Sequence, residues 1–174
     1  MVKTRLPESM KNSLFLLILS GLLWCSSISA DDSPGSEKNA WSIRDWIIMT
    51  SVYTAHFDPD PDHVNNQKLI GVEAVFENDW LAGFADFDNS FGQRSQFAYI
   101  GKSWPIAHSR FWYFKLMGGL LHGYKEPYED KIPLNGLGVA PGIIPSLGFR
   151  YKRVLAEVNL LGTAAVTVTV GVRF

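Results

Sequence analysis

The 174-residue chain has 16 basic and 17 acidic residues, with 47% hydrophobic and 13% aromatic side chains. A net charge of −1 offers no basic footprint for nucleic acid, and a lone cysteine, Cys25, rules out an internal disulfide framework. The length suits one domain, and no repeat of solenoid period runs through it.

In chain order, Lys3, Arg5 and Lys11 precede the apolar run LFLLILSGLLW and the small-residue stretch SSISA, which predicts a secretory signal over residues 1–30, cleaved after Ala30. Initiation at Met10 would give a tighter signal beginning MKNSLFLL. The alternative is an uncleaved anchor, but the apolar core is shorter than the ~20 residues that a spanning helix needs. Cys25 falls inside the signal and Trp24 precedes it, where a lipoprotein signal wants a small residue. The mature chain therefore holds no cysteine despite an oxidising destination. No later segment is apolar for long enough to span as a helix, so a membrane existence requires a closed β-barrel.

Residues 31–46 read as an N-terminal lead-in, DDSPGSEKNA, followed by WSIRDW as a short turn or interfacial helix. Eight strand-like runs follow, at 47–57, 68–77, 80–88, 96–104, 110–123, 137–151, 153–162 and 164–174. Each is close to the roughly 9–11 residues with which a tilted strand crosses a bilayer. In the seventh run Val154, Ala156, Val158 and Leu160 form an apolar face, while Glu157 and Asn159 lie on the other. In the tail AAVTVTVGVRF the even positions up to Phe174 are mostly apolar. Trp41, Trp46, Trp80, Trp104 and the Phe111–Tyr113 cluster sit near run ends, as interfacial girdles require, though core aromatics would look alike. Short links (ENDW, YKR) alternate with long polar loops (residues 58–67 and 124–135), the outer-membrane pattern, with the long loops outside the cell. The expected fold is all-β: an eight-stranded antiparallel transmembrane β-barrel over residues 47–174 with a short lead-in.

Pro141 and Pro145 lie within the sixth run and Pro133 just before it. Proline cannot donate to a ladder, so the run predicts a lateral gap in the barrel, or else a long loop with no strand. The four histidines are His56, His63, His108 and His122. His56, ending the first strand, and Ser90, in FDNSFGQ after the third, both fall at the long-loop rim, where they form a base and nucleophile pair or serve as ordinary rim residues. The loop DPDPDH offers Asp58, Asp60, Asp62 and His63 but lacks the glycine and terminal glutamate of a calcium loop, so a solvated loop is expected rather than a metal site.

The stretches TAHF, FDNSFGQ, AYIGKSW, IPLNGLGVAPGIIPSLGF and the terminal VRF, in this order and spacing, resemble the outer-membrane lipid A palmitoyltransferases (PagP), as a divergent member. The resemblance implies an acyltransferase that moves a palmitoyl chain from a phospholipid donor to lipid A in the outer leaflet of the outer membrane, its active site facing the exterior. No cofactor, metal or nucleic-acid partner is implied, and a membrane-embedded monomer is expected. The family's essential histidine falls on His56 and its serine on Ser90; its aspartate before that serine is replaced by Asn89, which removes a carboxylate that would orient a base. The glycine flooring the acyl pocket falls on Gly101, where each methylene of depth is worth about 0.8 kcal/mol. Pro133, Pro141 and Pro145 match the region that admits lipid sideways, and the family's N-terminal helix is shortened here to the residues around WSIRDW. Ala165, Thr167, Thr169 and Gly171, small and inward-facing, leave room for an acyl chain. The alternative function is a non-enzymatic small outer-membrane barrel with a binding or structural role, for which a tightly packed interior of charged pairs is expected. A lipid A deacylase would want a late histidine, and none follows His122.

Overall fold

The computed structural model describes residues 39–58 and 61–174; the expected signal over 1–30 lies outside these. Eight antiparallel strands close into a barrel in sequential order: β1 (Ile43–His56), β2 (Leu69–Phe76), β3 (Trp80–Asp88), β4 (Arg94–Pro105), β5 (Trp112–His122), β6 (Val139–Tyr151), β7 (Val154–Leu161) and β8 (Ala165–Arg173). β1 pairs with β8 from Ile47↔Arg173 to His56↔Ala165, so no strand edge is left at the seam. Phe174 continues that seam, exchanging backbone hydrogen bonds with Trp46.

Alternation decides what each strand turns inward. The outer wall exposes Ile48, Ile70, Val72, Ile100, Leu116, Ile143, Leu147, Val158 and Leu160, contributed by six of the eight strands, while the half-buried Ala82 and Phe84 of β3 and the Val166–Val172 face of β8 complete the ring. Ile70 is 72% exposed and Ile143 70%. An apolar belt running around the whole wall is far larger than any patch a water-borne monomer tolerates. The fold is a transmembrane β-barrel. Trp41, Trp46, Trp80, Trp104 and Trp112 all sit at the short-turn end, where Trp41 meets Phe76 and Trp112 meets Phe149 at ring distances of 5.8 and 5.0 Å. Amphipathic rings settle at the membrane–water boundary, which marks this end as one interface.

Two features of the sequence reading change. SIRDW is not helical: residues 40–41 form a turn and Ile43–Trp46 already belong to β1, whose alternation carries the polar Asp45 inward and Trp46 outward. The second concerns β6. It is a strand, paired with the whole of β5 from Trp112↔Phe149 to His122↔Val139, across Pro141 and Pro145. With β7 it pairs only from Ser146↔Asn159 to Tyr151↔Val154, so Val139–Pro145 have no ladder partner on that side. A ladder to β5 that runs on while the ladder to β7 stops is what prolines produce when their missing N–H groups face β7. The gap is therefore one-sided and opens toward the long-loop end. Pro133 lies outside the strand, in a turn between two single-turn 3-10 helices, Glu129–Lys131 and Asn135–Leu137.

The interior is more polar than the small residues of β8 suggest. Lys115 donates to Glu73 (3.1 Å) and Glu157 (2.7 Å), all three are at most 2% exposed, and Tyr99 and Tyr113 donate to the same two carboxylates. Beside it, Ser146 bonds Asn159 (2.6 Å) and Asn159 bonds Thr169 (3.0 Å). Buried charges are stable only when paired and fully hydrogen-bonded, and the cluster meets that condition. Thr167 and Thr169, taken from sequence as leaving room, are instead tied into these polar contacts. On the β2–β6 side, apart from Ser95 near the rim, the inward residues between the cluster and the long loops are apolar or glycine, among them Gly71, Ala85, Phe97, Gly119, Leu121 and Ile144.

Candidate active site

His56 faces the barrel interior only because β1 is irregular. Ile47, Met49 and Ser51 point inward, and strict alternation from them would send His56 to lipid. The register with β8 slips between Ser51↔Thr169 and Tyr53↔Val168, leaving Val52 as the extra residue of a β-bulge. After it, Thr54 is fully buried and His56 follows it inward. Bulges re-aim side chains in this way.

Three loops of the long-loop end then converge on His56. The β1–β2 loop is held down by Thr54 N–H to the Asn65 carbonyl (2.9 Å) and by the Ser51 hydroxyl to the Gln67 carbonyl. The β3–β4 loop is fastened to it by Val64 N–H donating to the Ser90 carbonyl (2.8 Å). His56 Nε2 lies 2.8 Å from Ser90 Oγ, and His56 Nδ1 lies 2.9 Å from Asn65 Oδ1. With Asn65 as acceptor the ring proton sits on Nδ1, which leaves the Nε2 lone pair facing the serine hydroxyl. A hydroxyl, an imidazole and an amide acceptor thus stand in line, the order that nucleophile, base and orienting group take in acyl-transfer chemistry.

Two further groups reach Ser90. Gln67 Nε2 is 3.4 Å from Ser90 Oγ, and the Gln67 amide is oriented by Thr54, whose hydroxyl donates to its Oε1 at 2.7 Å. Tyr124, at the start of the β5–β6 loop, is hydrogen-bonded to Ser90; burial lifts its phenol above the ordinary range, only partly offset by the bonds to Ser90, so it remains an O–H donor. Over the top, His63 stacks on His56 at 4.1 Å, with Phe91 at 5.2 Å from His63 and stacked on Tyr128 at 4.1 Å. A base, a hydroxyl and two neutral donors under an aromatic cover suit a reaction that develops negative charge on a carbonyl oxygen.

The remaining sequence candidates lie elsewhere. Asn89 is buried, but its Oδ1 accepts from Phe91 N–H and Gln93 N–H (both 3.0 Å), so it shapes the Ser90 loop, and the orienting amide belongs to Asn65. His108 is in the β4–β5 turn at the opposite end, and His122 bonds the Gly138 carbonyl at 2.7 Å. Gly101 lies mid-strand on β4, facing inward between Leu81 and Met117. A Cβ there would come within 2.5 Å of the Leu116 carbonyl oxygen and 3.1 Å of Leu81 Cδ1, so the position demands glycine. Asp60 lies outside the described residues, and among those described no three His, Asp or Glu side chains converge as a metal site would need.

Asn65 and Gln67 had a faint signal in the sequence: a polar VNNQ closing a long loop that starts one residue after His56. Lys115, Glu73 and Glu157 had a clearer one, each a lone charge in an apolar run and on its inward phase.

No protein-family model matches the chain, and no curated protein matches it. Among solved structures it is similar to a de novo designed transmembrane β-barrel, at 11% identity over 78% of this chain and 98% of that one, with a TM-score of 0.49. It is also similar to the Yersinia pestis outer membrane protein Ail in a phospholipid bilayer nanodisc, at 13% identity over 75% of this chain and 99% of that one, with a TM-score of 0.38.

Proposed function

We propose that the barrel is an acyltransferase of the bacterial outer membrane that moves a palmitoyl chain from a phospholipid to lipid A. The observation that carries the reading is the Ser90 Oγ···His56 Nε2 contact at 2.8 Å, backed by Asn65 on Nδ1, at the rim of the long-loop end. His56 takes the Ser90 proton as the hydroxyl attacks the donor ester; Gln67 and Tyr124 donate to the developing oxyanion. His56 passes that proton to the departing lysophospholipid oxygen as the donor ester C–O bond breaks and the acyl group stays on Ser90; it then takes the proton of an acceptor hydroxyl that attacks the acyl-serine and returns it to Ser90 Oγ as that bond breaks.

The fold supplies a route and a limit for the chain. The stretch of β6 without a β7 partner, which contains Pro141 and Pro145, opens beside the long-loop end, where a lipid in the adjacent leaflet enters sideways. Pro133 marks the loop above that opening. From there the apolar inward residues lead toward Gly101, next to Tyr99 and Met117, where the Lys115–Glu73–Glu157 cluster crosses the bore. A hydrocarbon tail gains nothing by entering an ionic layer, so glycine and cluster together set its depth. The resemblance of FDNSFGQ, TAHF and AYIGKSW to the lipid A palmitoyltransferases supports the same reading.

One specific observation favours a second reading, a non-enzymatic outer-membrane barrel. The buried ion cluster is the kind of packed charged interior that a purely structural or binding barrel would have. Mass analysis of lipid A from cells with and without the protein separates the two, since only the enzyme adds about one palmitoyl mass and loses that ability in Ser90→Ala.

A further inference from the structure

The end opposite Ser90 holds a feature that acyl transfer does not use. An open cavity of about 480 Å³ lies between the short turns, lined by Arg44, Arg110, Arg150, Lys152 and Arg173 against one carboxylate, Asp79. Arg44 is answered by Asp79 (2.9 Å) and Asp45 (3.0 Å), and Arg173 reaches Asp45 at 3.7 Å. Among the described residues, Arg110, Arg150 and Lys152 have no carboxylate within ion-pair distance.

The backbone holds these three together. Arg150 N–H donates to the Phe111 carbonyl (2.9 Å), Arg150 Nε donates to the Arg110 carbonyl (3.3 Å), and Arg173 donates to the Lys152 carbonyl (3.1 Å). Lys152 has φ 53°, a left-handed turn position that costs a non-glycine residue energy and fixes its direction. Arg150 lies over the Tyr113 ring (5.2 Å), Arg110 over Phe111 (4.8 Å) and Lys152 over Tyr151 (5.5 Å). The rings orient the cations without cancelling their charge. Three such cations around one hollow repel each other until an anion sits between them. Guanidinium forks match the paired oxygens of a phosphate. The cavity opens beside the exposed aromatics Trp112, Phe149 and Tyr151, at the level where lipid phosphates lie.

We propose that this vestibule binds a phosphate-bearing anion through Arg110, Arg150 and Lys152. An anionic phospholipid headgroup of the leaflet on the short-turn side and free phosphate share this chemistry. The proposal stands apart from the acyl-transfer reading.

The test uses the full mature chain in phosphatidylcholine nanodiscs. Inorganic phosphate is titrated while the arginine Nε–H signals are followed by NMR; in a second arm, native mass spectrometry compares retained phosphatidylglycerol with phosphatidylcholine. The expected result is a saturable shift of the Arg110 and Arg150 signals, or retention of phosphatidylglycerol over phosphatidylcholine, weakened about tenfold in Arg150→Gln and Lys152→Gln. Arg94→Gln, at the other end of the barrel, should leave both unchanged. A phosphate response without lipid preference assigns the site to free phosphate, and lipid preference assigns it to a headgroup. Arg150→Lys keeps the charge and loses the fork, so it should weaken binding while remaining folded. The proposal is overturned if wild type shows neither response, or if folded Arg150→Gln and Lys152→Gln respond as wild type does.

Discussion

Replacing Asn65 with leucine keeps the side-chain volume and removes the acceptor 2.9 Å from His56 Nδ1. A hydrogen bond to a group that becomes charged contributes about 1.5–3 kcal/mol, and roughly 1.4 kcal/mol is a factor of ten in rate. The contact is open to solvent, so water partly replaces the lost acceptor and the lower part of the range applies. The expected fall in kcat is about tenfold with KM little changed, since the interaction strengthens only as His56 takes the proton. Asn65→Asp keeps an acceptor and should retain most of the rate. The assay is transfer from labelled phosphatidylcholine to lipid A by protein in detergent, with ring ¹⁵N NMR of His56 as a second readout. In wild type the proton should reside on Nδ1; in Asn65→Leu the two tautomers should mix. If Asn65→Leu leaves both kcat and the tautomer as they are in wild type, the triad assignment is refuted.

Gly101→Ala places a Cβ 2.5 Å from a β5 carbonyl oxygen that cannot move alone. The barrel should lose about 1–3 kcal/mol, and the preferred acyl chain should shorten; a folded variant with unchanged chain preference would remove Gly101 from the floor. Lys115→Met leaves Glu73 and Glu157 buried without their cation, which should cost about 3–5 kcal/mol in urea unfolding from vesicles. The combined Lys115→Met, Glu73→Gln and Glu157→Gln variant should recover much of that, and a triple no more stable than the single would show that the ions do not act as a unit. Because burial raises the Tyr124 pKa, the stability owed to its neutral phenol is fully present below the ordinary value of about 10 and is lost only as pH climbs through the raised one. Difference absorbance of wild type against Tyr124→Phe should therefore show Tyr124 less than half ionised at about pH 10, and a normal titration there would contradict its burial.

Strand count, loop asymmetry and the position of His56 and Ser90 at one rim were legible because they follow from period-two patterning and link length. The inward aim of His56 was not. It depends on one extra residue, Val52, in a run where Val52 and Tyr53 simply look like two more apolar positions. Asn65 was missed because a loop carries no periodicity, and its place beside His56 is set by long-range ties such as Val64 to Ser90. The prolines signalled a gap but not its side, since strand pairing on each flank depends on which way each missing N–H points. The ion cluster joins β2, β5 and β7 across the bore, a partnership that three isolated charges do not reveal in a linear reading.

Mass spectrometry of lipid A is the most direct measurement of the central claim. Cells expressing the wild-type chain should show lipid A heavier by one palmitoyl group, and cells expressing equally abundant, folded Ser90→Ala or His56→Ala should not. An unmodified lipid A with wild type, or palmitate addition that survives Ser90→Ala, would contradict the acyltransferase account.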